Sequence, residues 1–310
     1  MNLLYVALAL LLEQLRPLEA GRVLAVLGRV TGAVAAWLAA AGRAGERAGQ
    51  VAWLVLVPGA MLFSWLVWQA LCGVSPILGV VFNGVVLYTA IAYHRETRLF
   101  AAVLLALSTA DHEGARAKLE EWRGERHPGA GASEMARLAI EQGLVAGHRW
   151  FFGPVFWFAL LPGPLGAVMY RMSHALYKDW GGGPDGRVTP FGRFSVAAFA
   201  VIDALPARAT ALSYAVIGNF EDALYCWRTQ SARWPDRLSG ILVASGAGAL
   251  GVRLGLPVHG ADGVIDRPEV GTGHKAEVIH MQRAAQLVWR VLVLWMLILA
   301  LLGVAGWVSR

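Results

Sequence analysis

From Val51 to Cys72 the chain runs 22 residues without a formal charge, with tryptophans at positions 53, 65 and 68. A helix rises 1.5 Å per residue, so a run of this length crosses the roughly 30 Å hydrocarbon core of a bilayer. Backbone placed there finds no water to bond, which leaves helices or closed barrels as the available structures. Trp concentrates at the two membrane interfaces, so the indoles anchor the ends of the run. Composition extends the argument to the whole chain: 57% of its 310 residues are hydrophobic and only 15% are charged, against about 25% charged in soluble domains. The expected fold class is an all-α integral membrane protein. It is a multi-pass helical bundle with broken or re-entrant helices and a cytoplasmic amphipathic-helix segment.

The net charge of +6 and the isoelectric point near 9.7 admit a nucleic-acid partner. The basic residues, however, stand between apolar runs, as the positive-inside bias requires. A lipid bilayer is the expected partner, and no nucleic acid. Cys72 and Cys226 form no CxxC pair and no metal-ligand spacing. The opening MNLLY lacks a basic region and no small-residue cleavage site follows, so a retained membrane segment is expected rather than a signal peptide.

Residues 3–12 are too few to span alone, and extension to Leu18 through Glu13, Gln14 and Arg16 gives a polar-ended first span. Glu13 is then either interfacial or buried against other helices. Residues 19–50 form an amphipathic element on the cytoplasmic surface. After the span at 51–72, the uncharged turn Gly73-Val74-Ser75-Pro76 lies outside and Pro76–Tyr93 returns. Residues 95–149 are the main soluble segment, with Asp111 near a helix start after Ser108-Thr109. Ser133 and Glu134 open a further helix on which Glu134, Arg137 and Glu141 share one face, expected to be solvated and salt-bridged. Trp150–Tyr170 is interrupted by Leu161-Pro162-Gly163-Pro164. It is a re-entrant hairpin or one bent span, and basic flanks on both sides favour re-entrance. A polar amphipathic segment at 219–237, an apolar run Ile241–Leu256, a polar loop at 257–283 and a terminal span Leu287–Val308 complete a single domain, 1–310.

Val201–Gly218 carries Asp203, Pro206 and Arg208 inside an apolar stretch. Pro206 is expected to break or kink the helix. The two charges mark either a functional cavity or an interface at which Arg208 snorkels. No GxxxxGK[ST], HExxH or GxSxG is present, and the eight histidines, read as mostly surface residues, show no ligand spacing. Gly246–Gly251 satisfies GxGxxG without a preceding strand, so it is read as small residues for close helix approach. Gly271-Thr272-Gly273-His274-Lys275 is a phosphate cradle or, on its incomplete pattern, a plain turn. Asp111, Arg116, Glu134, Glu141, Asp203, Arg208, Arg253, Arg267 and Glu269 remain as charged groups near apolar segments. Carboxylates among them could share Mg²⁺ with substrate phosphates, and the arginines could grip anions bidentately.

LPARATAL (205–212), GALGVRLG (248–255) and RPEVG (267–271) resemble signature blocks of the CobD/CbiB family of cobalamin-biosynthesis membrane proteins. ARAKL (115–119), AIE (139–141), GPVFWFAL (153–160) and LGAVMYR (165–171) fit the same family in the same order. The resemblance implies a multi-pass bacterial inner-membrane enzyme, adenosylcobinamide-phosphate synthase. Such an enzyme joins aminopropanol or its phosphate to a side-chain carboxylate of a corrinoid substrate, adenosylcobyric acid, with ATP as the driving reagent and Mg²⁺ as metal. On that reading Asp203, Glu141 and Asp111 are catalytic, and Arg208, Arg253, Arg267 and Arg116 bind substrate.

The chain departs from the family pattern in several places. It carries EQLRPLEAGR where a GDP…HPV block is usual, and Val145, Ala146 and Arg149 where an EN…DG motif stands. His174 and Tyr177 replace an Asn and an Asp, and Asp203 replaces an Asn. LALLLEQL (8–15) and YAVIGNFEDALYCW (214–227) resemble AmpE, an inner-membrane sensor of the same superfamily. That gives the alternative reading, a non-catalytic signal transducer.

Overall fold

The structure is a computed structural model that describes residues 5–9, 20–40, 45–91, 93–182, 188–261 and 263–308. The expected first span with Glu13 lies outside them apart from the helical residues 5–9, as does most of the GGGPDG loop. Helix α1 (Ala20–Ala40) precedes α2 (Glu46–Val74), which holds the charge-free run, and α3 (Pro76–Ile91). Ser75 is extended and its N–H bonds Leu71 O, closing α2. Pro76 then starts α3, where a missing N–H is harmless. At Gly79 a Cβ would lie 2.2 Å from Cys72 Sγ, so the cysteine is a packing residue of this hairpin.

Helix α4 (His94–Ser108) carries the apolar run of the expected soluble segment, and α5 (His112–Arg123) follows under Asp111, whose Oδ1 accepts from Gly114 N at 2.9 Å. Helix α6 (Ala132–Gly147) passes through a π turn at His148–Phe152 into α7 (Gly153–Leu160). Helices α7 and α8 (Leu165–Gly181) make a hairpin around 161–164. A Cβ on Gly166 would fall 1.9 Å from Trp157 O, so only glycine allows the approach. Eight residues rise about 12 Å, too little for α7 to cross a bilayer.

Helix α9 (Arg193–Ile217) is not broken at Pro206 and runs through that residue. Proline deprives the carbonyl four residues back of its donor. Here that carbonyl belongs to Ile202, and Trp157 Nε1 donates to it at 3.1 Å.

Helix α10 (Phe220–Gln230) packs closely on α11 (Arg237–Leu250): a Cβ on Gly248 would stand 2.4 Å from Asp222 O. The small-residue reading of the GxGxxG run therefore holds. The apolar run Ile241–Leu256 is not helical throughout, since Gly251 turns left-handed (φ 65) and leads into strand β1 (Val252–Leu254). The expected polar loop contains β2 (Val258–Gly260), β3 (Gly263–Ile265), β4 (Val270–Gly271) and β5 (His274–Lys275). Strand β1 is central, antiparallel to β4 and parallel to β5, while β2 pairs with β3. Helix α12 (Val278–Val308) follows.

Among the described residues four segments are long and apolar enough to cross a membrane: Glu46–Val74, Pro76–Ser108, Arg193–Ile217 and Val278–Ala305. The chain is an all-α multi-pass membrane protein. The second segment takes in α4, so the apolar region reaches beyond residue 95, where the soluble segment was expected to begin.

Contacts divide the chain into two compact units. The first comprises Met1–Ala92, Gly153–Pro206 and Leu299–Arg310. Its core sets Ala52, Trp53 and Val57 of α2 against Met172, Leu176 and Trp180 of α8. Thr31 of α1 donates to Asp179 Oδ2 at 2.6 Å on the same helix. The second unit comprises Tyr93–Phe152 and Ala207–Ile298. There α6 packs against α4, α5, α11 and β1, burying Leu99, Leu119, Leu138, Leu144, Leu242 and Leu254.

Candidate functional site

The face of α6 expected to be solvated is instead covered, and each of its charged residues holds a different point of the segment 255–267. Glu134 accepts from His259 N at 2.7 Å and lies 2.8 Å from His259 Nδ1. Arg137 Nη2 donates to Pro257 O at 2.7 Å. Glu141 accepts from Gly255 N at 2.8 Å and from Arg267 Nη2 at 2.5 Å. Arg137 and Glu141 are 7% and 3% exposed. Burial lowers the Arg137 guanidinium from its ordinary value, and Glu141 and Glu134 oppose that shift. Gly255 is left-handed (φ 74), and a Cβ there would meet Pro268 O at 1.9 Å, so the segment's entry requires glycine.

Beside this frame the second unit holds a cleft of ≈ 410 Å³. Its charged walls are Arg123, Arg149 and Arg267 on one side of the balance and Glu125, Glu141 and Asp266 on the other. The Arg267 guanidinium lies 4.7 Å over the Trp234 ring, a cation–π contact. Arg149 Nη2 donates to Asp236 Oδ2 at 2.8 Å and to Ser239 Oγ at 3.0 Å. Asp236 also accepts from Leu238 N at 3.2 Å, capping α11. Arg123 Nη2 stands 3.2 Å from Glu125 Oε2. Planar guanidiniums oriented this way suit bidentate recognition of phosphate or carboxylate, and the neighbouring carboxylates suit an ammonium.

Of the seven expected site residues, the structure brings two into this cleft, Glu141 and Arg267, and pairs them with each other. Asp203 belongs to the first unit, is 1% exposed and accepts from Tyr170 Oη at 2.8 Å. Arg208 is exposed; five residues along a helix from Asp203, it turns onto another face. Asp111 caps α5. Arg116 pairs with Glu113 at 2.8 Å, and Arg253 pairs with Glu269 at 3.4 Å. Arg123, Trp234 and Asp236 are not among the expected site residues, and neither is Arg149, which stands at the family's EN…DG position. The one local signal for them is the Trp-Pro-Asp turn that caps α11.

Mg²⁺ typically takes one or two carboxylates together with phosphate oxygens. Both Glu141 oxygens are committed to Gly255 and Arg267. Among the described residues no three His, Cys, Asp or Glu side chains converge. The expected acids therefore do not fit a metal held by the protein. In the 271–275 segment, which joins β4 to β5, Gly271 N donates to Gln230 Oε1 at 2.5 Å and His274 N to Gly251 O at 3.1 Å, so two of its N–H groups are already bonded. The surface reading of the histidines needs correction, since His127, His148, His174 and His280 are buried. His148 Nδ1, for example, lies 2.9 Å from Thr210 Oγ1.

The family described as CobD/Cbib protein matches residues 6–288. The chain is 34% identical over 271 residues to the cobalamin biosynthesis protein CobD of Stutzerimonas stutzeri (strain A1501), covering 86% of this chain and 85% of that one. It is 32% identical over 220 residues to the protein of the same name from Chromobacterium violaceum, covering 71% and 70%. A shorter match, 36% over 86 residues, is to CobD of Mycobacterium tuberculosis, covering 26% and 28%. No solved structure matches the chain. These findings do not favour the AmpE-like alternative. With the family match running over most of its length and two relatives above 30% identity, the chain belongs to the CobD/CbiB family.

Proposed function

We propose that the chain acts in cobalamin biosynthesis and joins aminopropanol, or its phosphate, to a side-chain carboxylate of adenosylcobyric acid, at a bacterial inner (plasma) membrane. The observation that carries this reading is the mixed-sign cleft, which both guanidiniums and carboxylates line. An amino-alcohol phosphate carries both charges, which such a cleft can meet together. Arg149 and Arg267 would grip the phosphate or carboxylate. Asp266 and Glu125 would hold the ammonium, which must shed a proton before its nitrogen can attack. Glu141, tied to Gly255 and Arg267, acts as a positioning residue rather than as a base. Trp234 gives the Arg267 guanidinium an aromatic backing.

Amide formation from a carboxylate and an amine must expel an oxygen. ATP would supply that by transferring a phosphoryl or adenylyl group to the carboxylate, so that the oxygen departs with phosphate when nitrogen attacks. Mg²⁺ would accompany the nucleotide phosphates; no step is assigned to a metal held by protein ligands.

The test is the full chain in lipid nanodiscs with adenosylcobyric acid, ATP, Mg²⁺ and either aminopropanol or its phosphate. Mass spectrometry should find the amide with one of the two amines, dependent on ATP and lost in Arg267→Ala. No amide with either amine, under conditions where a characterised family member makes it, would refute the reading.

A further inference from the structure

A second cavity, of ≈ 250 Å³, lies wholly within the second unit between α4, α5, α6 and α12, and shares no lining residue with the arginine cleft. Along α4 and the Tyr93 that precedes it, its wall includes the stripe Tyr93, Thr97, Ala101 and Leu104, spaced three or four apart as one helix face requires. From Tyr93 to Leu104 that stripe is about 16 Å long, so the space is a slot. Its polar groups are engaged with the protein: Trp122 Nε1 donates to Glu96 Oε2 at 2.7 Å and Thr97 Oγ1 to His94 O at 2.9 Å. A buried water needs two to four polar partners, and an apolar cavity of about 150 Å³ is known to stay dry and take up hydrocarbon. This larger one asks for an apolar occupant.

Where that occupant comes from follows from the walls. Helices α4 and α12 both lie in segments apolar enough to cross a membrane. Trp289 lines the cavity and is 60% exposed, and Thr97, Ala101 and Ala285, also lining it, are exposed too. The mouth therefore opens on the side that bears Leu105 and Val293, apolar residues exposed on the same two helices. From the slot shape, the satisfied polar groups and the exposed mouth between two helices apolar enough to cross a membrane, we infer that this cavity holds one acyl chain of a bilayer phospholipid.

The experiment uses the full chain in nanodiscs containing a phospholipid with a diazirine near the end of its acyl chain. After irradiation, peptide mapping should find Phe100, Leu104, Val288 and Leu292 labelled several-fold above Leu105 and Val293, which are exposed outside the cavity. Ala101→Leu and Ala285→Leu plug the mouth at exposed positions and should each abolish that excess. Labelling of the wall no stronger than at Leu105 and Val293, or an excess unchanged in both variants, would overturn the inference. Native mass spectrometry of the unmodified chain gives an independent reading: one phospholipid retained after detergent washing is expected, and none retained counts against it.

Discussion

Glu141 serves two partners, Gly255 N and Arg267, from one buried carboxylate. Glu141→Ala would leave a guanidinium and an amide without their acceptor inside the fold. Breaking a buried pair from one side typically costs about 3–5 kcal/mol. The variant should therefore unfold at clearly lower temperature in detergent. Glu141→Gln keeps an acceptor for Gly255 and should lose less. An unchanged midpoint for Glu141→Ala would mean that the pair does not hold the segment. Cys226 makes a separate prediction. Burial, then the nearby Asp222, raises its thiol from the ordinary 9.0. The unfolded thiol then releases its proton at lower pH than the folded one. Its contribution to stability is complete below that ordinary value and shrinks as pH rises through the folded one. Alkylation of Cys226 at pH 8 should be far slower in the folded protein than after denaturation, and equal rates would contradict the burial.

At the scale of elements, α9 is helical through Pro206 because a side chain from α7 replaces the missing donor. Trp157→Phe should cost about 1 kcal/mol, the loss of one hydrogen bond to a part-buried carbonyl. The same change made in a Pro206→Ala background should cost less, since an alanine there restores the backbone N–H. Equal costs in the two backgrounds, from denaturant titrations, would show that Trp157 and Pro206 are independent. Gly248→Ala would drive a methyl to 2.4 Å from Asp222 O and should destabilise the α10–α11 pair by about 1–3 kcal/mol.

These elements also show what the sequence made legible. The span at 51–72, the terminal span, the hairpin at Ser75-Pro76 and the Asp111 cap depend on local sequence, and these were readable. The unbroken α9 was not, because Trp157 and Ile202 are 45 positions apart. The face of α6 was misread for a related reason: helical spacing groups Glu134, Arg137 and Glu141 but cannot tell a covering loop from water. Family resemblance supplied Glu141 and Arg267 singly, while their pairing spans 126 positions. Arg149 and Trp234 carry no periodic signal at all.

For the molecule as a whole, the proposed chemistry belongs to the second unit, where the α6 frame, the Trp234 turn and the 255–267 segment build one cleft. Lys118, half exposed on α5 and paired with Glu121, lies outside it and serves as a control. The most direct measurement is complementation of a cobalamin-making host from which the gene has been deleted, with corrinoids quantified by mass spectrometry. The wild type and Lys118→Ala should restore synthesis beyond adenosylcobyric acid. Arg267→Ala, present in the membrane at the same level, should leave that acid to accumulate and growth dependent on added cobinamide. Full restoration by Arg267→Ala would contradict the assignment of the cleft.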